Sequence, residues 1–252
     1  MSARGHAFGI DIGGSGVKGG AVDLATGELV HERIKIATPQ PSTPQAVADA
    51  VAKLVAQADW DGPVGITLPS VVLDGVARTA ANIDKAWVGT DARALFSTAL
   101  DGRPVTVLND ADAAGLAEDR YGAAKDFDGL VLLLTFGTGI GSALLYQGTL
   151  VANSELGHLE VGGMETEHRA AASIKDRDGL TFEQWAAEVS TILIGLENLF
   201  WPKVFVAGGG ISRDADLWIP LLTNRTQVIP AHLRNTAGIV GAAMAIDAGI
   251  AP

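Results

Sequence analysis

The strongest constraint on this chain is an arrangement that occurs twice. Asp11-Ile12-Gly13-Gly14-Ser15-Gly16-Val17-Lys18 and Thr135-Phe136-Gly137-Thr138-Gly139-Ile140-Gly141 each place a loop of glycines and hydroxyl residues between two apolar segments of strand length. His6 to Ile12 enters the first loop, Val17 to Leu24 returns from it, and Ala25-Thr26-Gly27 turns into a third segment, Glu28 to Ile36. Leu130 to Leu134 enters the second loop, Ser142 to Tyr146 returns, and Gln147-Gly148 turns again. The loops lie about 124 residues apart, which is too far for a solenoid repeat and suits a duplicated lobe. Two equivalent lobes that turn their loops toward a common cleft are therefore expected.

The remaining segments fit an α/β chain. Thr43-Pro44 supplies an N-cap and a first-turn proline, and Ala46, Val47, Ala50, Val51, Leu54, Val55 and Ala58 follow at helical spacing. Val64 to Leu68 and Val105 to Leu108 read as buried strands, with a short helix from Asp91 to Leu100 between them. Thr181 to Trp201 reads as a long helix, Lys203 to Ala207 as a strand ending at Gly208-Gly209-Gly210, and Asn235 to Ala248 as a helix of small residues. Hydrophobic residues make up 48% against 19% charged, which excludes a disordered chain. A net charge of −11 argues against a broad nucleic-acid or membrane surface, so an anionic substrate needs a local positive site. Without cysteine there is no disulfide framework, thiol nucleophile or thiolate metal site. Met1 to His6 lacks the pattern of a signal peptide, and no apolar run reaches membrane-helix length, so a soluble cytoplasmic protein is expected.

Several constellations carry chemistry. In the first glycine loop, Asp11, Ser15 and Lys18 bring a carboxylate, a hydroxyl and an ammonium to backbone N–H groups that can approach an anion; the same residues also read as a plain hairpin turn. The literal G-x-G-x-x-G at Gly14 to Gly19 is followed by a strand, not by the helix of a dinucleotide fold, and no Gly-Lys dipeptide exists to make a Walker loop. Thr135 to Gly139, with Thr138, and Gly208 to Gly210 are further places for a phosphate chain to lie against backbone. Asp110 follows a buried strand and starts a helix, a position that suits a general base, with Asn109 orienting the substrate; either residue also reads as a helix cap. Glu155 and His158, three residues apart, point the same way on a helical turn and suit sugar hydroxyls, which donate and accept. The run Glu165 to Glu167 reads as solvated surface, with Glu167 set apart as a ligand. Trp185, Trp201 and Trp218 read as core or interface, and only Trp87, beside Asn82, stands near a sugar loop.

Taken in order, Asp11-Ile12-Gly13-Gly14-Ser15, Leu108-Asn109-Asp110, Thr138-Gly139-Ile140-Gly141 and Glu155-Leu156-Gly157-His158 resemble the ROK family of sugar kinases, and within it most closely the polyphosphate glucokinases. The resemblance runs from about Phe8 to Ala248, and the ordered set is far more specific than any one motif. It implies an actin-like, ribonuclease-H-like two-lobed kinase fold, with residues 1–108 and the helix at 235–252 as a small lobe and 109–234 as a large lobe. It also implies a homodimer and phosphoryl transfer from polyphosphate, ATP or both to the 6-hydroxyl of glucose, with Mg2+.

Carried over by the resemblance, Asp110 is the catalytic base, and Asn82, Asn109, Glu155, His158 and Glu167 are sugar ligands. Asp11 holds Mg2+ through water. Gly13, Gly14, Ser15, Gly16, Lys18, Thr135, Gly137, Thr138, Gly139, Gly208, Gly209 and Gly210 form the phosphate-donor surface. Many members carry a cysteine-rich zinc module between the Glu-x-Gly-His motif and the distal glutamate; this chain has none, so zinc is not expected and Glu167 is placed by spacing alone. Family repressors carry an N-terminal DNA-binding domain, for which Asp11 comes too soon. Lys18, Lys85, Arg93 and Arg234 are candidate cations of a polyphosphate groove and read equally as solvated surface. An ATP-only hexokinase acting on glucose or mannose, a non-catalytic sugar-binding regulator and an actin-like ATPase are the competing readings.

Overall fold

The structure, a computed structural model, describes residues 5–252. Its fold is mixed α/β, and the chain divides into two compact units, one of residues up to Ala117 together with Asn235–Pro252, the other Glu118–Arg234. Sequence reasoning expects the division at 108/109, ahead of a helix. The observed division falls inside that helix, because its first half packs closely on the C-terminal helix.

In the first unit, β1 (His6–Ile12), β2 (Gly16–Asp23) and β3 (Ile34–Ala37) form an antiparallel meander. The parallel strands β4 (Val64–Leu68) and β5 (Val105–Asn109) join it on the β1 side, giving the order β3-β2-β1-β4-β5. Every residue of β4 and β5 is buried, as continuous apolar runs in parallel strands demand. The third strand is shorter than the Glu28 to Ile36 expected; Leu29 keeps only an isolated bridge to Val22.

Helix α1 (Pro44–Gln57) starts where the sequence signals it: the Thr43 side chain accepts from the Ala46 N–H, and proline occupies the first turn. Its buried face of Val47, Val51, Leu54 and Val55 joins Phe8, Ile10 and Ile12 in one core. Helix α2 (Ala92–Ala99) is capped by Asp91 in the same way.

Helix α3 (Asp110–Arg120) follows β5 without a loop. The C-terminal helix, Ala237–Ala248, lies against β1 and β4 where glycines leave room. A Cβ on Gly9 would stand 1.8 Å from the Ile239 carbonyl oxygen, and one on Gly65 1.8 Å from that of Ala242. Gly241 meets the Ala113 carbonyl of α3 as closely. Small residues in these places set the approach of helix to sheet and helix to helix.

The second unit repeats the plan. Strands β6 (Leu130–Phe136), β7 (Ile140–Tyr146) and β8 (Thr149–Val151) form the meander. The parallel strands β9 (Val204–Gly208) and β10 (Val228–Pro230) complete the order β8-β7-β6-β9-β10. Helix α4 (Phe182–Phe200) begins at a capping box between Thr181 and Gln184. Its apolar face, with Trp185, packs on Phe136 and Trp218, whose rings meet edge to face.

One tryptophan departs from expectation, and another, read as core or interface, lies at the surface. Trp87 is fully buried and donates from Nε1 to the Ser42 carbonyl, so it belongs to the core and not to a sugar loop. Trp201 is 71% exposed, because the chain turns left-handed there at the end of α4, and Arg225 stacks over its ring. No helix among the described residues is long and apolar enough to cross a membrane.

Candidate active site

Each unit holds part of the expected site. In the first, the hairpin register sets Asp11 opposite Lys18, and the Lys18 ammonium lies 3.6 Å from Asp11 Oδ2. Lys18 is thus an ion-pair partner of the carboxylate expected to hold a metal. The Thr67 hydroxyl donates to Asp11 Oδ1 at 3.0 Å, and Gly238 packs so close that a Cβ there would come within 2.9 Å of the same oxygen. A fixed carboxylate at a strand end suits Mg2+, which takes one or two carboxylates beside substrate phosphates and water.

The first glycine loop is tightened by Gly13 N–H donating to Gly16 O, and Gly14 and Ser15 are exposed at its tip. Asn82, also exposed, comes beside this loop, since a Cβ on Gly14 would touch its carbonyl oxygen at 3.6 Å. Lys85, also exposed, donates from Nζ to the Ala80 carbonyl at 2.5 Å, which spends part of its charge on backbone.

Asp110 stands half-buried at the carboxyl end of β5 as the first residue of α3. Its Oδ1 accepts from the Ala111 N–H at 2.9 Å. Asn109 is 8% exposed; its Oδ1 accepts from the Ala111 and Asp112 N–H groups, and its Nδ2 donates to the Ser70 carbonyl. Its amide is therefore mostly committed to capping α3 and tying it to the Ser70 turn, which fixes where Asp110 points.

In the second unit the helical turn expected at Glu155 to His158 is a single 3-10 turn, Leu156–His158. Three acidic side chains gather around His158: Glu155 at 4.0 Å from Nε2, and Glu165 at 3.4 Å and Glu167 at 3.8 Å from Nδ1. His168 joins them through Glu165 and Glu167. The Thr166 hydroxyl, fully buried, donates to the carbonyls of Leu156 and Gly157, pinning the Glu165 to Glu167 segment onto the turn.

Glu165, read from sequence as solvated surface, is therefore part of the cluster. Nothing local marks it, because its partner lies seven residues back, ahead of a short antiparallel hairpin that pairs Glu160–Val161 with Met164–Glu165. Burial lifts the Glu155 carboxyl above its ordinary value; His158 opposes this rise and the Glu167 charge adds to it. One ligand atom from each of His158, Glu165 and Glu167 falls within 4.8 Å of the others, a spacing that a divalent cation could bridge, and one that exposed acidic groups also reach without any ion.

The two glycine segments of this unit, about 70 residues apart in sequence, are neighbours because β6 and β9 pair in parallel with Gly208 beside Thr135. Gly209 has φ of +84° and sits against the Phe136 carbonyl, where a Cβ would stand at 2.1 Å. Gly209, Gly210 and Thr138 are exposed. Thr138, Gly209 and Gly210 thus offer accessible backbone at neighbouring strand ends, while Phe136 and Gly208 of the same segments are buried.

The ROK family model matches residues 7–171. The chain belongs to the ROK family. It is 62% identical to a polyphosphate glucokinase of Mycobacterium tuberculosis over 240 residues, 95% of this chain and 91% of that one. The crystal structure of the inorganic polyphosphate/ATP-glucomannokinase of Arthrobacter sp. strain KM superposes with a TM-score of 0.92 at 49% identity, covering 98% of this chain and all of that one. A ROK family glucokinase of Streptomyces griseus in complex with glucose and AMPPNP gives a TM-score of 0.80 at 27% identity, covering 95% and 98%.

Proposed function

We propose that this ROK protein is a polyphosphate glucokinase, which transfers a phosphoryl group from inorganic polyphosphate or ATP to the 6-hydroxyl of glucose. The observation that carries the reading is the 62% identity along 95% of the chain to a polyphosphate glucokinase. Asp110, placed at the rim of a parallel sheet where ligands collect, supports it.

In this reading Asp110 accepts the proton of the 6-hydroxyl as its oxygen bonds to the donor's terminal phosphorus. The bridging P–O bond breaks, and the electron pair leaves on the shortened polyphosphate or on ADP. Asn82, Glu155, His158 and Glu167 hold the other hydroxyls, with Glu165 supporting His158, and Asn109 holds Asp110 in line. Backbone N–H groups of the segments Gly13 to Gly16, Thr135 to Gly139 and Gly208 to Gly210, other than those of Gly13 and Gly137, which close their own loops, neutralise donor charge together with Lys18. Phosphoryl transfer through a loose transition state gains mostly from this alignment and neutralisation. Asp11 would hold Mg2+, which supplies further positive charge at the donor phosphates.

The residues of the unit up to Ala117 and those of Glu118–Arg234 serve as the two lobes of the kinase. The reading includes a cytoplasmic homodimer, for which the exposed Leu199, Trp201 and Leu217 offer apolar surface. Sedimentation of the purified protein tests the dimer.

The deciding assay is glucose 6-phosphate formation with Mg2+ and glucose, with nucleotide-free polyphosphate or ATP as sole donor and mannose as alternative acceptor. Turnover on polyphosphate is expected. Turnover on ATP alone would make the chain an ordinary ROK hexokinase, and turnover on neither would overturn the kinase reading.

A further inference from the structure

The second glycine loop is held from outside itself. Gly137 N–H donates to the Gly139 carbonyl, which closes the loop. The two carbonyls between are taken by a single residue: Ser173 donates from its backbone N–H to Gly137 O at 3.1 Å and from its hydroxyl to Thr138 O at 2.7 Å. All three carbonyls of Gly137 to Gly139 therefore have partners within the second unit.

In a planar trans peptide the C=O and the following N–H point in opposite directions. Holding the Gly137 and Thr138 carbonyls thus also aims the N–H groups of Thr138 and Gly139, which lie in the same two peptide planes, away from Ser173. Among the described residues these two N–H groups donate to no carbonyl of the chain, and Thr138 is exposed. A loop with its carbonyls turned in and its N–H groups turned out attracts an anion, whereas a released carbonyl can swing out and repel one. The Ser173 hydroxyl selects the first arrangement.

Ser173 reaches the loop because of a break between two short helices. Thr166–Ala170 carries Glu167, and Ala172–Asp178 carries Ser173. Between them Ala171 is extended, with ψ of 149°. On one continuous helix, residues six apart would lie about 120° apart around the axis. The break instead lets both meet the same loop, Glu167 against Gly139 and Ser173 against Gly137 and Thr138.

The pair of helices is fastened to α4. Trp185 Nε1 donates to the Ala170 carbonyl at 3.0 Å, and Arg169 Nη1 donates to Glu188 Oε2 at 2.5 Å. Ala170 and Ala171 are buried. One anchored segment thus carries a residue assigned to the sugar and holds the loop assigned to the donor.

We propose that Ser173 is a positioning residue for the phosphoryl transfer. Its hydroxyl keeps the Thr138 carbonyl turned inward, so that the Thr138 and Gly139 N–H groups meet the donor's terminal phosphate oxygens in fixed register with Glu167. The inference rests on the kinase reading above and adds to it a residue that touches neither substrate. The terminal phosphoryl group is common to polyphosphate and ATP, so both donors need Ser173 alike.

The test uses the full-length protein. Ser173→Ala removes the hydroxyl and keeps the backbone bond to Gly137, Ser173→Thr retains a hydroxyl, and Arg177→Ala, an exposed change on the same short helix, controls for general disturbance. All are checked for thermal midpoint. Where the alanine variant melts without cooperativity, Ser173→Cys, close in size and only a weak donor, takes its place with the same expected loss. Steady-state assays give kcat/KM for polyphosphate and for ATP at saturating glucose, and calorimetry gives Kd for glucose without donor.

In the alanine variant kcat/KM falls about tenfold for both donors, while Kd for glucose stays within about twofold. The threonine variant returns to within about threefold of the unaltered protein, and Arg177→Ala leaves kcat/KM unchanged. Unchanged kcat/KM in the alanine variant overturns the proposal. So does a loss confined to one donor, a loss as large in the threonine variant, or one matched by Arg177→Ala. Each of these results, in an enzyme that turns over, removes Ser173 from its role and leaves the kinase reading standing. No turnover of either donor by the unaltered protein overturns the kinase reading and this inference with it.

Discussion

Glu167 lies directly against Gly139: a Cβ on this glycine would stand 2.5 Å from Glu167 Oε2. A residue assigned to the sugar and a loop assigned to the phosphate donor therefore touch within one unit. Gly139→Ala should displace the Glu167 carboxylate at little cost in stability, because the obstructed atom is the end of a flexible side chain. KM for glucose is expected to rise about tenfold, with the free energy of unfolding changed by less than about 1 kcal/mol. A normal KM in a stable variant would show that Glu167 does not hold the sugar.

Asp110→Asn should lower kcat by about 100-fold or more while glucose still binds. An asparagine keeps an oxygen that can accept the Ala111 N–H, as Asp110 Oδ1 does, so the start of α3 stays formed. Glucose binding by calorimetry beside kcat separates loss of the base from loss of the fold. Near-normal turnover would remove Asp110 from its role.

Burial raises the Glu155 carboxyl above its ordinary value of 4.5, against the pull of His158 and with the help of Glu167. The folded protein thus keeps this proton to higher pH than the unfolded chain, and the stabilisation it brings at acid pH is lost as pH rises above 4.5 through the raised value. The ionised form is the better acceptor for sugar hydroxyls, so glucose affinity should rise with pH over the same window. Measuring KM for glucose between about pH 4 and 8 checks this, and Glu155→Gln should flatten that part of the profile. A profile identical in the variant would assign the titration elsewhere.

Gly65→Ala should destabilise the first unit by at least about 3 kcal/mol, since the new methyl would meet the backbone of Ala242 and not a movable side chain. Chemical denaturation would show the lower midpoint. Gly163, whose Cβ would meet nothing within 4 Å but whose φ is +80°, should cost only about 1 kcal/mol on the same change, the penalty of its backbone conformation.

Local sequence determined most of the elements. Thr43, Asp91 and Thr181 cap helices as their side chains allow, the glycine loops close hairpins, and the continuous apolar runs of β4, β5 and β9 are buried strands. The duplication was legible too, because each meander is a contiguous stretch whose order needs no long-range information. Tertiary structure decided what depends on strand order. Gly208 stands beside Thr135 only because β9 inserts between β6 and β10, a pairing that hydrophobic pattern does not encode. Trp87, set among polar and turn residues, is enclosed, whereas Trp201, at the end of an apolar helix, is exposed, since burial is set by what packs on a segment. Glu165 came into the cluster through the buried Thr166 hydroxyl, and Ser173 came to the second glycine loop through the break between two short helices. Spacing along the chain fixes which residues share a turn or a strand face, whereas residues far apart in sequence meet only through the choice of neighbouring strands, made by the packing of the whole unit.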